Sequence, residues 1–344
     1  MVLQTRKLVS TILVTCLSRL AMTASPVRRV ILDTDPGTDD AMALGLFLSH
    51  PQNFELVAVT TVFGNVPVEQ STKNAARLLS MLGNTSTPIY KGASYAVDLK
   101  AVMNDDTASI HGLDGLNDRP DLIPDDVPVK TGDMDAASAI CNIVAANPGQ
   151  ISLVAIGPLT NVANALSICP DLPRLVKDIW IMGTSTSKGN ITPYAEFNTY
   201  QDPLATKIVL DKFSTSTTVN IIPWDACLVN MLSFSDIDEV RDKGKLGKSP
   251  YYDMFEAVLM TPWLQQLRNE GRGFVFADQF IPLMMTHPES KVEDISFSRV
   301  IVNTERGSDK FGEVRYEGEK GNMVVWMQFD MSYMKKLLEE MVVF

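Results

Sequence analysis

The sequence has few cysteines, and beyond its first thirty residues it has no long apolar stretch. Four cysteines occur among 344 residues, and none of them form a CxxC spacing. Cys16 lies in a segment that is predicted to be removed, so an odd number would remain, which argues against a paired disulfide framework. The cysteines are therefore predicted to be small buried apolar residues. No later stretch reaches the roughly 18 apolar residues that a membrane-spanning helix needs, so the mature protein is expected to be soluble.

Positive charge is also scarce. The 30 lysines and arginines are outnumbered by 41 aspartates and glutamates, which gives a formal net charge of −11. A chain this acidic repels phosphate backbones and anionic lipids, so neither nucleic acid nor a membrane surface is a predicted partner. A neutral small molecule, or one bound through a cation, fits the charge better. The 45% hydrophobic content is enough for a large core, and no internal repeat or linker divides the chain, so one domain is predicted.

The N-terminal segment differs in composition from the rest of the chain. Two basic residues precede an apolar run over residues 8–17, small residues follow, and no acid occurs before Asp33. This pattern predicts a targeting segment over residues 1–27 and a folded domain over residues 28–344. Secretion is the favoured destination. The Ser/Thr-rich composition with Arg19 would also suit a mitochondrial presequence, and a cytoplasmic enzyme with an N-terminal extension is the third interpretation.

From residue 29 onward, short β-rich runs alternate with amphipathic segments. This alternation predicts an α/β fold with a mostly parallel, Rossmann-like central sheet flanked by helices in a single large domain. Near the C-terminus, residues 313–316 and 323–329 flank a turn-like stretch and are predicted to form a hairpin, followed by a helix over residues 335–343. The segment 93–128 lacks periodicity and is predicted to be a long functional loop.

The most informative stretch follows the first predicted strand and reads Asp33-Thr34-Asp35-Pro36-Gly37-Thr38-Asp39-Asp40. The carboxyl ends of strands in open α/β sheets face the ligand crevice, so its four carboxylates would converge there. Carboxylates that lie so close together raise one another's pKa unless a cation neutralises them. Calcium, which accepts six to eight oxygen ligands, could do so. Alternatively, Asp39 and Asp40 only occupy the favourable first turn of a helix. That interpretation does not explain Asp33 and Asp35.

Two other metal motifs fit this stretch less well. An EF-hand loop requires glycine at position six and glutamate at position twelve, where this chain has Thr38 and Leu44. Phosphatases of the haloacid dehalogenase type also place Asp-x-Asp after a hydrophobic strand. Their second aspartate is followed by any residue and then threonine or valine, whereas Pro36-Gly37 follows Asp35. Such a phosphatase remains the second enzymatic hypothesis.

Together, five motifs resemble the inosine-uridine-preferring nucleoside hydrolase family. The first is the acidic stretch from Asp33 to Ala41. The other four are Thr60-Thr61-Val62-Phe63-Gly64-Asn65-Val66, His111-Gly112-Leu113-Asp114-Gly115-Leu116, Ala155-Ile156-Gly157-Pro158-Leu159-Thr160-Asn161, and the run from Met182-Gly183 through Gly189-Asn190 to Ala195-Glu196-Phe197-Asn198. With Asp278 they span most of the chain, in family order. The resemblance implies the nucleoside hydrolase fold, a ribonucleoside substrate, a bound Ca²⁺ ion and a homodimer or homotetramer.

The family's site residues carry over by position. Asp35 would be a calcium ligand and the base that takes a proton from the attacking water. The other implied ligands are Asp40, Asp278 and the backbone carbonyl of Ile156. Asp33 would orient its neighbours among these ligands without binding the ion itself. The residues implied to hold the ribose are Asp39, Asn65, Met182, Asn190, Glu196 and Asn198.

The leaving group is the point where this sequence departs from the family. N-glycoside hydrolysis builds positive charge on the ribose and requires stabilisation of the departing base. Many family members place histidine or tryptophan directly before the last metal-binding aspartate, but this chain has Ala277. Asp35, Asn190 and His111 are the predicted catalytic residues. Base preference stays open, and the candidates for stacking or donating to the base are Tyr251, Tyr252, Phe274 and Phe276.

Three functions are therefore compatible with the sequence. The favoured one is calcium-dependent hydrolysis of ribonucleosides to ribose and free base. A phosphatase is the enzymatic alternative. A catalytically weak or inactive nucleoside-binding homologue, which has lost leaving-group activation through Ala277, is the alternative from a different class.

Overall fold

A computed structural model describes residues 26–98 and 107–344. The predicted targeting segment 1–27 therefore lies almost wholly outside the described residues, as do residues 99–106 of the predicted long loop. Within the described part of the chain, no helix combines the length and apolarity required to cross a membrane.

The described strands build one large sheet and two small two-stranded sheets. In chain order the strands are β1 (Arg28–Thr34), β2 (Phe54–Thr61), β3 (Ile89–Lys91), β4 (Ile151–Ala155), β5 (Asp178–Met182), β6 (Val219–Ile222), β7 (Met231–Leu232), β8 (Phe274–Val275), β9 (Lys291–Phe297), β10 (Arg299–Val302), β11 (Val314–Glu317) and β12 (Met323–Phe329). The large sheet has the order β3-β2-β1-β4-β5-β6-β12-β9. Its pairs are parallel except β12 with β9, so the prediction of a mostly parallel sheet is confirmed.

Helices cover both faces of this sheet. They are α1 (Thr38–Leu48), α2 (Val68–Met81), α3 (Ala108–His111), α4 (Ala136–Ala146), α5 (Thr160–Ile168), α6 (Leu172–Leu175), α7 (Phe197–Gln201), α8 (Pro203–Phe213), α9 (Trp224–Val229), α10 (Phe234–Lys245), α11 (Pro250–Leu259), α12 (Pro262–Asn269), α13 (Phe280–Thr286) and α14 (Met331–Val342). Alternate residues of β1 face opposite sides: Val30 and Leu32 belong to one hydrophobic core, and Ile31 belongs to the other. This period of two is the pattern of a strand buried on both faces.

The strand order places a topological switch point between β1 and β4. The chain moves outward from β1 to β2 and β3 on one side and from β4 to β6 on the other. In register, Asp33 lies beside Thr60 of β2 and Ala155 of β4, so the carboxyl ends of the three strands are level. Open α/β sheets bind ligands in the crevice beside such a point. The acidic stretch begins with the last two residues of β1 and continues from the strand's carboxyl end into that crevice.

The predicted C-terminal hairpin is wrong. β11 pairs with β10, while β12 runs between β6 and β9 in the large sheet. Both segments are strands, as expected, but Val325 of β12 is fully buried in the core beside β6. The burial of β12 inside the large sheet therefore determines its pairing. The turn-like residues between the two segments had instead favoured pairing of β11 with β12.

Candidate active site

Asp33 connects the carboxyl ends of β1, β2 and β4 through hydrogen bonds. Its carboxylate is fully buried, and Oδ1 accepts hydrogen bonds from Thr60 Oγ1 at 2.6 Å and Asn161 Nδ2 at 2.7 Å. Thr60 belongs to β2, and Asn161 lies in the first turn of α5, just after β4. Burial raises the pKa of Asp33 to about 7. Asp33 thus lies beneath the site and holds the surrounding strand ends in register.

The Asp35 carboxylate is packed between two glycines, and only one of its two oxygens has a hydrogen-bond partner. Oδ2 accepts the Asn65 backbone N–H at 2.7 Å, whereas the buried Oδ1 has no partner among the described residues. A Cβ atom at Gly64 or Gly157 would collide with this carboxylate, so both positions require glycine for close approach. Burial, followed by the charge of Asp40, raises the pKa of Asp35 well above its usual range.

Three other carboxylates meet beside Asp35. Oxygen atoms of Asp39, Asp40 and Asp278 lie within 4.8 Å of one another. Asp40 is held by Thr34 Oγ1 at 2.5 Å, the Gly37 N–H at 2.9 Å and Asn65 Nδ2 at 3.1 Å. Asp39 Oδ1 is buried and unpartnered within the described chain. We call Asp33, Asp35, Asp39, Asp40 and Asp278 the acidic floor.

The acidic floor is electrostatically costly without a counter-charge. Burial, and then the charges of Asp39, Asp40 and Asp35, raise the pKa of Asp278 well above its usual range. Burial and the Asp39 charge raise the pKa of Asp40 to about 6. Several buried like charges are stable together only if some are protonated or a cation neutralises them. The oxygens of Asp35 and Asp39 that have no hydrogen-bond partner are suitable ligands for a hard cation such as calcium.

The structure groups the predicted ligands slightly differently from the family-based prediction. Asp40 and Asp278 lie in one tight cluster, and its third carboxylate is Asp39, which the resemblance assigned to the ribose. Asp35 is close enough for its charge to raise the pKa of Asp278. The Ile156 carbonyl faces the site and accepts a hydrogen bond from Asn198 Nδ2 at 3.0 Å.

A cavity of about 400 Å³ opens above the acidic floor. Nine predicted site residues line it: Asp39, Asn65, His111, Ile156, Met182, Asn190, Glu196, Asn198 and Asp278. Asp35 and Asp40, both almost fully buried, are not among the lining residues. The cavity is thus bounded by polar groups from the carboxyl ends of β1, β2, β4 and β5, which the sequence motifs predicted.

His111 ends the short helix α3 and packs against α1. Its Nδ1 lies 3.2 Å from the Thr38 backbone nitrogen and 2.9 Å from Thr38 Oγ1. A backbone N–H can only donate, so Nδ1 is the acceptor and the ring hydrogen is on Nε2. Burial lowers the pKa of His111 to about 4. The imidazole is therefore neutral near pH 7 and can donate a hydrogen bond from Nε2.

The predicted ribose-binding residues also organise their own loop. Glu196 accepts the backbone N–H groups of Asn198 at 2.7 Å, Thr184 at 2.8 Å and Thr199 at 2.9 Å, which starts α7. Asn198 donates to the carbonyls of Ile156 and Met182. Asn190 Oδ1 accepts the Phe197 N–H at 2.8 Å. These side chains are therefore locked in position before any ligand binds.

Much of the rest of the cavity is bounded by apolar side chains, most of which the motifs did not indicate. We call five of these residues the apolar wall: Trp224, Val258, Trp263, Leu264 and Phe274. Phe274 had been predicted as a candidate for stacking. Its fellow candidates Tyr251, Tyr252 and Phe276 are buried and do not line the cavity. Trp224 directly follows β6 at the carboxyl edge of the sheet, a position from which it could have been found.

Fold and site together define a class. A Rossmann-like sheet with an acidic floor at its switch point, below a cavity with one polar and one apolar part, is suited to a small molecule that has a polar and an apolar part. The family model described as inosine-uridine preferring nucleoside hydrolase matches residues 30–336. The chain belongs to the inosine-uridine-preferring nucleoside hydrolase family, a family of N-glycosyl hydrolases.

Individual relatives and solved structures agree with this assignment. The chain is 31% identical to probable uridine nucleosidase 1 of Oryza sativa subsp. japonica, over 76% of this chain and 77% of that protein. It is 40% identical to the non-specific ribonucleoside hydrolase RihC of Escherichia coli, over 52% and 57%. The alignments with RihC and with an uncharacterised Schizosaccharomyces pombe protein span only 57% and 61% of those relatives. A solved purine-preferring ribonucleoside hydrolase from Gardnerella vaginalis superposes with a TM-score of 0.79 at 26% identity, covering 92% of this chain and 98% of that one.

Proposed function

We propose that this chain hydrolyses the N-glycosidic bond of ribonucleosides to ribose and free base, with a calcium ion bound at the acidic floor. The observation that carries the proposal is the convergence of Asp35, Asp39, Asp40 and Asp278 beneath a cavity of about 400 Å³. The names of the relatives, which include uridine nucleosidases and ribonucleoside hydrolases, support the reaction.

The acidic floor fits a hard divalent cation. It offers carboxylate oxygens only, and three of them, on Asp33, Asp35 and Asp39, are buried and have no hydrogen-bond partner among the described residues. Asp35, Asp40 and Asp278 with the Ile156 carbonyl are the proposed ligands, and the position of Asp39 in the cluster adds it as a fifth oxygen source. Calcium bound there would clasp the ribose diol and lower the pKa of the attacking water.

Asp35 is the proposed base. Its pKa is raised by burial and by Asp40, so its carboxylate accepts a proton more readily than an exposed aspartate would. Its unpartnered Oδ1 is the atom that takes the proton of the attacking water. The Asn65 N–H fixes Oδ2 and thus the orientation of the group.

The ribose is held by the polar part of the cavity. Asp39, Asn65, Glu196 and Asn198 line it, and the hydrogen bonds that already fix Glu196 and Asn198 reduce the entropy lost on binding. Met182 lies under the sugar, and Asn190 closes the cavity from its loop. A site of this kind rejects 2′-deoxyribose, because its buried polar groups would lose their partner.

The departing base is stabilised without a side-chain donor at position 277. Ala277 lines the cavity but offers no side-chain donor there. The neutral His111, with its hydrogen on Nε2, is the proposed hydrogen-bond donor to the leaving group. The base itself lies against the apolar wall, whose tryptophans offer flat surfaces for stacking.

Ribose release with and without a chelator tests the proposal. The mature protein is incubated with inosine, uridine and 2′-deoxyinosine, and reducing sugar is measured. Chelator-sensitive release from the two ribonucleosides alone is the expected result. Nucleoside binding without release would instead identify an inactive binding homologue, and phosphate release from a phosphorylated substrate would identify a phosphatase.

The remaining expectations from the sequence stay proposals. We propose that residues 1–27 direct secretion and are removed, and that the protein is a homodimer or homotetramer with no nucleic-acid or membrane partner. N-terminal sequencing of protein recovered from culture medium tests the first, because intact chain retained in mitochondria or cytoplasm would contradict it. Light scattering of the purified protein tests the second, because a monomeric mass would contradict it.

A further inference from the structure

The acidic floor joins two segments that are far apart in the chain. Asp39 and Asp40 start α1, whereas Asp278 lies between β8 and α13. The segments differ in how they are held. Asp40 accepts three hydrogen bonds, but the Asp278 carboxylate has no hydrogen-bond donor within residues 26–98 and 107–344. The position of Asp278 is therefore set through its backbone.

The side chain of Gln279 links the backbones of the two segments. It is 1% exposed. Its Oε1 accepts the Ala277 N–H at 2.8 Å, and its Nε2 donates to the Asp39 carbonyl at 3.3 Å. One amide thus spans the turn that carries Asp278 and reaches across to the residue beside Asp40. We propose that Gln279 is a positioning residue that sets the spacing between Asp278 and the Asp39–Asp40 pair before a divalent cation binds.

Electrostatics explains why such a link is needed. In the metal-free protein, the charges of Asp39, Asp40 and Asp35 all act unfavourably on Asp278. When these carboxylates are ionised they repel one another, and no donor among the described residues holds the Asp278 carboxylate itself. A backbone link opposes that repulsion without occupying a carboxylate oxygen. The oxygens of Asp278 thus remain free for a cation.

The inference rests on the calcium site of the proposed function and concerns affinity rather than chemistry. Groups that orient metal ligands typically contribute 10- to 100-fold to metal affinity. Because Gln279 acts on the backbone of the ligand-bearing segments, the lower end of that range is expected. Gln279→Met keeps the length of the side chain and removes both hydrogen bonds.

Calcium titration by calorimetry on the full-length chain tests the role of Gln279. The calcium affinity of Gln279→Met should fall about tenfold. The matched control is Gln265→Met, since Gln265 Nε2 likewise donates to a backbone carbonyl, that of Leu259 at 2.6 Å, but does not line the cavity. The control should bind calcium like the wild type. Melting of the chelated proteins separates positioning from a merely structural role, which would lower the melting temperature and leave the affinity unchanged.

Each outcome decides a different claim. A folded Gln279→Met protein with wild-type calcium affinity overturns the positioning role alone, because the calcium site would still exist. A wild-type protein that binds no calcium overturns the metal part of the proposed function, and this inference with it. If Gln279→Met does not fold, Gln279→Asn, whose amide is one carbon too short to span both partners, replaces it with the same expected loss.

Discussion

The acidic floor and the apolar wall meet in one cavity but are built in opposite ways. Four of the five floor residues come from the eight consecutive positions 33–40, at the end of β1 and just after it, and hydrogen bonds hold most of them in place. The wall is assembled from α9, α11, α12 and β8, which span residues 224–275. The polar part of the site is thus fixed locally, while the proposed base-binding surface depends on how distant elements pack.

The two regions should therefore respond differently to mutation. In the proposed mechanism the floor holds the reacting groups, so changes there should act on turnover. The wall would contact a substrate that is already held through its ribose, so changes there should act on binding and on the choice of base.

The largest effect is expected from Asp35→Asn. The amide keeps the shape of the side chain but cannot accept a proton, so kcat should fall about a thousandfold or more. Steady-state kinetics with inosine measures the change, and circular dichroism verifies the fold. Asp202→Asn is the control, because Asp202 is also buried and hydrogen-bonded but does not line the cavity. Residual wild-type turnover in Asp35→Asn would show that the base is elsewhere.

His111→Ala should have the next largest effect and connects the two regions. Removal of the Nε2 donor should lower kcat for inosine about a hundredfold, since general acids contribute on that scale. A nitrophenyl riboside carries a leaving group that needs no such help, so the variant should cleave it almost as fast as the wild type does. An equal loss on both substrates would assign His111 to the sugar rather than to the base. His50→Ala is the control, because His50 bonds to Ser49 and Glu340 outside the cavity.

The sequence predicted the acidic floor because its information is local. A hydrophobic strand followed by clustered aspartates requires a polar crevice wherever the strand ends, and parallel strands align those ends. The alignment of Asp33 with Thr60 and Ala155 follows from that rule. The stretch predicted that Asp39 converges with its neighbours, whereas the resemblance assigned Asp39 to the ribose; its place in the tight cluster with Asp40 and Asp278 depends on the first turn of α1.

The apolar wall could not be predicted in the same way. Trp263 and Leu264 reach the cavity because α12 packs beside α3 and β8, a long-range arrangement that apolar periodicity alone does not specify. Aromatic residues at helical spacing are more often part of a core, as Tyr251 and Tyr252 are here. The two tryptophans of the wall therefore had no distinguishing signal except the place of Trp224 after β6.

Trp263→Ala tests whether the apolar wall contributes to substrate binding. Loss of one stacking surface is expected to raise KM about tenfold, since a base stacked on an aromatic ring gains roughly 1–3 kcal/mol. The value of kcat should change less than in His111→Ala. KM for inosine and uridine measures the effect, and a larger increase for inosine would indicate purine stacking. Trp326→Phe is the control, because Trp326 stacks on Trp180 away from the cavity. An unchanged KM would remove Trp263 from the base-binding surface.

The smallest expected effect concerns the stability of the floor without calcium. Burial raises the pKa of Asp33 from 3.8 to about 7, so the folded, chelated protein binds a proton there more tightly than the unfolded chain does. The stabilisation is present below pH 3.8 and is lost as the pH rises through about 7. Asp33→Asn can still accept from Thr60 and Asn161 but does not ionise. Its melting temperature should therefore gain a few degrees on the chelated wild type as the pH rises from 3.8 to about 7, with no further gain above that pH. If the melting temperatures of the two proteins change equally with pH across this range, Asp33 is not an uncompensated buried carboxylate. Calcium should reduce the difference in melting temperature by neutralising the neighbouring charges.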